Sequence, residues 1–175
     1  IKGMYKFLSV SRPMIRLLGS GAILNECLKA HEILKQFDIT SEVWSVTSFN
    51  MLRKDGMEIE NVNLKNPSKT PQASYVEQSF AHENIPAVAA TDYMRAYAEQ
   101  IRPFVKGTYF TLGTDGFGRS DSRKKLREYF EVDANNIAAT AAYALLQDQI
   151  IDKKQVGKIY EKLGINKDKS SPWVQ

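Results

Sequence analysis

Three aspartates, Asp92, Asp115 and Asp121, stand in loops that follow β-prone runs. If those loops converge, the carboxylates could share general acid and base work. The densest stretch is Gly113-Thr114-Asp115-Gly116-Phe117-Gly118-Arg119-Ser120-Asp121. Its three glycines suit a tight turn or a close backbone approach. Asp115, Arg119, Ser120 and Asp121 supply charge and hydrogen-bonding groups, as expected of a functional loop leaving a strand. A structural reading stands beside the chemical one. Aspartate and serine bond nearby backbone N–H groups, so Ser120 or Asp121 could simply cap the helix that follows.

Other chemistries find less support. Gly19-Ser20-Gly21 could cradle a phosphate on its backbone N–H groups, or could only let a strand and a helix approach closely. Neither G-x-G-x-x-G nor G-K-[ST] is present. A nucleophilic serine or cysteine needs a histidine beside it, and no G-x-S-x-G occurs. Cys27 with the distant His31 and His82 makes a poor zinc site, and His31, on the edge of an apolar stripe, reads as a half-buried structural residue.

The elements that must position these residues can be read from pattern. Strands are expected at 3–8, 14–18, 42–47, 85–91 and 109–112, from their β-branched and aromatic content. Ile23, Leu24, Cys27, Leu28 and Leu34 mark one face of a helix from an N-cap at Ser20 to about Phe37. Ser48 should cap a short helix over 49–54 that Gly56 ends, followed over 57–74 by an irregular excursion with room for one helix near its start. Residues 75–80 favour a short helix. Met94, Tyr97, Ala98, Ile101 and Phe104 mark another, with Pro103 at its end. Helices follow at 122–130, around 137–145, and from an Asp152/Gln155 capping box to Gly164. Trp44 should be buried in the third strand, and the tail over 165–175 loosely held. Alternating strands and helices imply a mostly parallel sheet with helices on both faces.

Composition sets the outer limits. A chain of 175 residues, 43% apolar and 25% charged, fits one domain with a sizeable core. No apolar run approaches the roughly 18 residues of a membrane span, and no leader sequence is recognisable. The net charge of +4 is mild. The lysines near the end are interspersed with acids, as on a solvated helix face rather than a nucleic-acid surface. Cys27 is the single cysteine, which excludes an intrachain disulfide and points to a reducing, cytoplasmic setting. The chain opens on Ile1-Lys2-Gly3 directly before a strand, so 1–175 is expected to be one domain cut from a longer protein, although removal of a short leader would give the same appearance.

The 113–121 stretch resembles the G-x-D-x-F-G-x-S turn in the C-terminal domain of the transketolase superfamily. Glu42-Val43-Trp44-Ser45-Val46-Thr47-Ser48-Phe49-Asn50, with Leu52, Arg53, Asp55 and Gly56 after it, is similar to the homodimeric first component of bacterial pyruvate dehydrogenase complexes. So are Val88-Ala89-Ala90-Thr91-Asp92-Tyr93-Met94, Phe130-Glu131-Val132-Asp133 and the opening Ile1-Lys2-Gly3-Met4-Tyr5. The resemblance covers nearly the whole chain.

That resemblance implies an α/β fold: a three-layer α/β/α sandwich with a five-stranded, mostly parallel sheet in the order 1-3-2-4-5 and an antiparallel first strand. It implies a parent enzyme that uses thiamine diphosphate and magnesium to decarboxylate pyruvate and reductively acetylate a lipoyl group on dihydrolipoyl acetyltransferase. In the family the diphosphate and metal are held by a G-D-G…N-N motif in the first domain, and the activating glutamate lies in the middle domain. Asp115-Gly116 has no Asn-Asn at suitable spacing, so no catalytic, cofactor-binding or metal residue carries over. The third domain's part is chiefly structural, supporting a homodimer. Asp92, Asp115, Phe117, Arg119, Ser120 and Asp121 are therefore expected as loop or interface residues, with Asp121 capping the next helix and Arg119 reaching a carboxylate or a backbone carbonyl. The chain alone should be inactive. A stand-alone binding module for a small phosphorylated ligand or a protein, and the last domain of a transketolase, are the alternatives.

Overall fold

The computed structural model describes residues 2–81 and 83–174; His82, considered above as a zinc ligand, lies outside them. The strands are β1 (Met4–Leu8), β2 (Ile15–Ser20), β3 (Ser41–Val46), β4 (Ala87–Ala90) and β5 (Tyr109–Leu112). They form one sheet in the order β1-β3-β2-β4-β5. β1 runs antiparallel to β3, and the remaining pairings are parallel. The helices are α1 (Leu24–Lys35), α2 (Phe49–Lys65), α3 (Tyr75–Ser79), α4 (Arg95–Glu99), α5 (Arg123–Phe130), α6 (Ala134–Gln147) and α7 (Lys153–Leu163).

Side-chain alternation along the strands divides the interior in two. Ile15, Leu17, Val43 and Val88 point to one face, where they pack with Cys27 and Leu34 of α1, Ile137 and Leu145 of α6, and Ile159 of α7. Leu18, Trp44, Val46 and Ala89 point to the other, against Leu52 of α2, Val76 of α3 and Ala98 of α4. The sandwich therefore has helices on both faces, as expected. The central strands β2, β3 and β4 are buried almost throughout, the pattern of a sheet covered on both sides.

Several expected boundaries shift, each for a local reason. Ser48 does cap α2, its hydroxyl accepting from the Met51 N–H at 3.2 Å. The helix then runs through Gly56 to Lys65 instead of ending there. Gly56 serves packing: a Cβ at that position would lie 2.2 Å from the Phe104 ring. Only 66–74 is irregular, and Asn63 pins that stretch by exchanging two 2.8 Å bonds with the Gln72 backbone. Ser74 and Glu77 form a capping box for α3.

The helix expected over 94–104 splits into α4 and a 3₁₀ turn, Arg102–Phe104, because Pro103 cannot donate to an α-helical ladder. Ser20 makes no side-chain cap bond. A 3₁₀ turn, Gly21–Ile23, intervenes before α1. Gly19 is there for close approach, since a Cβ would lie 2.6 Å from the Leu24 Cα. Asp152 caps α7 alone: its carboxylate accepts from the Gln155 N–H at 2.7 Å, while the Gln155 amide donates to the Phe37 carbonyl instead of closing a box. The tail is also tied down. Lys169 donates to the Glu128 and Tyr129 carbonyls, both at 2.8 Å, and Pro172 is buried. His31 is buried, with Nδ1 2.8 Å from the Ser41 hydroxyl, which supports its structural reading.

Candidate functional site

The carboxyl ends of β2, β4 and β5 gather the loop residues singled out from sequence. Thr114 follows β5 and crosses to the turn after β4: its N–H donates to the Tyr93 carbonyl at 2.9 Å, and its hydroxyl to the Asp92 carbonyl at 2.8 Å. Gly113 makes this lacing possible, because a Cβ there would come within 2.7 Å of the Arg95 nitrogen and the Tyr93 oxygen. Asp115 finishes the seam. One carboxylate oxygen accepts from the Arg95 N–H at 3.2 Å, and the other lies 3.4 Å from the Arg95 Nε. Asp115 therefore joins two loops, with no need of a catalytic duty to explain its place.

Asp121 accepts from the Ser122 N–H at 2.7 Å. The N-cap of α5 is Ser122, whose hydroxyl accepts from the Lys125 N–H at 3.4 Å. The expected cap at Ser120 or Asp121 is thus corrected by one or two residues, and Asp121 only braces the entry to the helix. Within the chain, the Arg119 guanidinium stacks 4.0 Å over the Tyr129 ring, a cation–π contact. Ser120 is exposed. Phe117 projects into solvent with 85% of its surface accessible. Asp92 is exposed beside Gly21. No hydrogen bond joins Asp92, Asp115 and Asp121 to one another among the described residues.

Two clefts flank the Asp92–Tyr93 turn. One, of about 470 Å³, is lined by Ala22, Asp92, Thr114, Gly118, Arg119 and Arg123 together with apolar side chains of α5. The other, of about 290 Å³, lies between Ser20, Thr47–Asn50, Tyr93 and Tyr97; the two tyrosine rings meet at 5.6 Å.

Sequence reading missed the buried ionic groups that hold this end together. Glu26 on α1 is almost fully buried. It takes bonds from Lys29 and Arg127 at 2.9 Å and from the Ala134 N–H at 3.1 Å, so it binds α5 and α6 to α1. Burial pushes its carboxyl pKa up, but the Lys29 hydrogen bond and charge, the Ala134 N–H and the Arg127 charge outweigh that and hold it below the usual range. An acid in the first turn of a helix was the only available signal. Glu99 is also held low, first by the Arg102 hydrogen bond, against burial and with help from Thr111. Burial pushes the Cys27 thiol up, which leaves it unreactive.

The residues present do not fit a magnesium-bound diphosphate. Among the described residues no three or more His, Cys, Asp and Glu side chains are grouped so as to hold a metal ion. Of the tandem asparagines, Asn136 caps back onto Asp133 and Asn135 reaches the Leu163 carbonyl, so both serve helix ends.

A mixed five-stranded sheet with an antiparallel edge, laced by a Gly-Thr-Asp-Gly turn, defines a class. The chain belongs to the family of transketolase-like C-terminal domains, whose model matches residues 3–133. Among curated proteins it is 46% identical over 177 residues to the pyruvate dehydrogenase E1 component of Pseudomonas aeruginosa. It is 45% identical over 175 residues to that of Escherichia coli K12, and 41% over 177 residues to that of Cupriavidus necator. Each match covers 98% of this chain and 20% of the relative, so the chain spans about a fifth of their length. Transketolase of Pichia stipitis shares the fold at a TM-score of 0.59 and 16% identity, over 86% of this chain and 19% of that one. Campylobacter jejuni transketolase does so at 0.55 and 16%, over 81% and 18%.

Proposed function

We propose that this chain is the C-terminal structural domain of a pyruvate dehydrogenase that decarboxylates pyruvate and reductively acetylates a lipoyl group. The observation that carries this reading is identity of 41–46% with pyruvate dehydrogenase E1 components over 98% of the chain. Thiamine diphosphate and magnesium belong to other domains of the parent chain, which works as a cytoplasmic homodimer delivering acetyl groups to dihydrolipoyl acetyltransferase. The role of this domain is to support that dimer. Asp92, Asp115, Phe117, Arg119, Ser120 and Asp121 serve as structural-loop or interface residues, with the exposed Phe117 reaching neighbouring domains or the second subunit, and none of them performs chemistry. This agrees with the seam geometry, in which Asp115 and Thr114 spend their polar groups on the fold.

The test is calorimetric. Thiamine diphosphate titrated into the 175-residue chain should give no magnesium-dependent binding, and the chain should not decarboxylate pyruvate. A magnesium-dependent dissociation constant near 1 μM, worth about 8 kcal/mol, would overturn the assignment.

A further inference from the structure

The 470 Å³ cleft has features that the structural role leaves unexplained. In an open α/β sheet, ligands bind outside the carboxyl ends of the strands where the strand order reverses. Here β2 is followed in sequence by β3 on one side of it, and β4 lies on the other side. The reversal therefore falls between β2 and β4. The cleft sits there: Ala22 follows β2, Asp92 follows β4, and Thr114 follows β5.

Its walls have a consistent chemistry. Arg119 and Arg123 both line the cleft. Arg119 is held by its stack on Tyr129, which leaves the edge of the guanidinium available to donate. Arg123 opens α5 and forms no ion pair among the described residues. Arg127 also lines the cleft but is neutralised by Glu26. The local balance is positive, with Asp92 the single acid among the lining residues. The floor is apolar, from Leu126, Phe130 and Val132.

Gly118 supplies a separate observation. Its φ is not positive, and no atom lies within 4 Å of the place a Cβ would occupy. Neither backbone strain nor packing calls for glycine there. A bare backbone facing a cleft does give a ligand access to the chain. We infer that this cleft binds a small organic phosphate: Arg119 and Arg123 take the phosphate as planar, bidentate donors, the body of the ligand lies on the apolar floor, and Asp92 accepts from a ligand hydroxyl. The inference does not depend on the parent-enzyme reading, and it requires no magnesium.

Nuclear magnetic resonance of the ¹⁵N-labelled chain tests it with adenosine monophosphate, glucose 6-phosphate and adenosine as probes. At least one phosphate ester should shift the amides of Ala22, Thr114, Gly118 and Arg123 saturably below about 10 mM, a threshold of roughly 3 kcal/mol, and adenosine should not. Arg123→Gln and Gly118→Ala should each weaken that binding at least about tenfold, equivalent to 1.4 kcal/mol, with melting temperature unchanged. No saturable shift with either ester, equal shifts with adenosine, or variants that bind normally would each overturn the inference. A magnesium requirement would instead indict the assignment of the cofactor to other domains, so the two ideas fail separately.

Discussion

The two ends of the parallel strands are built in opposite ways. At the amino end, charge is buried and fully engaged. Arg16 and Glu42 expose only 1% and 2% of their surfaces. Arg16 Nε donates to Glu42 at 2.9 Å, and its other nitrogens reach Glu83 and the carbonyls of Phe80, Glu83 and Ile85. Glu42 also accepts from the Trp44 indole at 2.9 Å and pairs with Lys6 at 2.7 Å. At the carboxyl end, Tyr93, Met94 and Phe117 are exposed, and Arg119 and Arg123 face an open cleft. A buried charge tolerates no lost partner, whereas an exposed one is solvated by water and contributes little to stability. The carboxyl end has one buried charge of the same kind, Glu26 with Lys29 and Arg127; outside that network its loops contribute less to stability and are free to meet ligands or partners.

The contrast is broken most forcefully at Trp44. Its ring is buried, meets Phe80 edge-on at 5.2 Å and anchors Glu42. Trp44→Ala should lower stability by about 3–5 kcal/mol, a large share of a domain's total. A chemical-denaturation midpoint equal to that of the parent would show that the amino end is not the stabilising one.

Glu42→Gln removes the counter-charge of a buried guanidinium and should cost about 3 kcal/mol. It also carries a pH signature. Burial pushes the Glu42 carboxyl up, but hydrogen bonds from Lys6, Trp44 and Arg16 and the Lys6 charge bring it below its ordinary value of 4.5. A carboxylate with a depressed folded-state pKa contributes stability that is complete above the unfolded value and is lost as pH falls through the folded one. The parent should thus weaken progressively below about pH 4.5, and Glu42→Gln should flatten part of that slope. Parallel acid limbs for the two proteins in denaturant titrations would contradict the assignment.

In the exposed loops of the carboxyl end, away from Glu26, single changes should be mild. Ser122→Ala removes the cap of α5 and should cost about 1 kcal/mol. Asp121→Ala loses one exposed bond, worth roughly 0.5–1 kcal/mol. A loss above about 3 kcal/mol from either, read from the same denaturant midpoints, would erase the contrast between the ends.

What was legible in the sequence follows from which forces are local. The strand spacing and the alternating helices reveal an α/β sheet because period and composition report burial directly. The order β1-β3-β2-β4-β5 and the reversed β1 are not local properties, and came from family resemblance rather than periodicity. Gly56 read as a helix end because glycine usually breaks helices; the Phe104 ring that demands it is 48 residues away in sequence. Pro103 split a helix whose apolar spacing looked continuous. At the candidate site, the 113–121 loop stood out by type and spacing, but the partners of its residues did not. Asp115 bonds Arg95 and Arg119 stacks on Tyr129 through contacts set by tertiary packing. Arg16, Glu26 and Glu42 drew no attention as buried charges, since nothing in a single sequence marks a charge whose partners will bury it.

The central proposal, that this domain supports a parent pyruvate dehydrogenase and takes no part in its chemistry, is tested most directly by Asp121→Asn in the proposed full-length enzyme. Asparagine keeps an oxygen to accept from the Ser122 N–H but cannot transfer a proton as a carboxylate does. The account predicts a pyruvate decarboxylation kcat within about threefold of the parent, a change under 1 kcal/mol in the barrier, at unchanged melting temperature. A fall of roughly a hundredfold or more at unchanged stability would make Asp121 a proton-transfer group and contradict it.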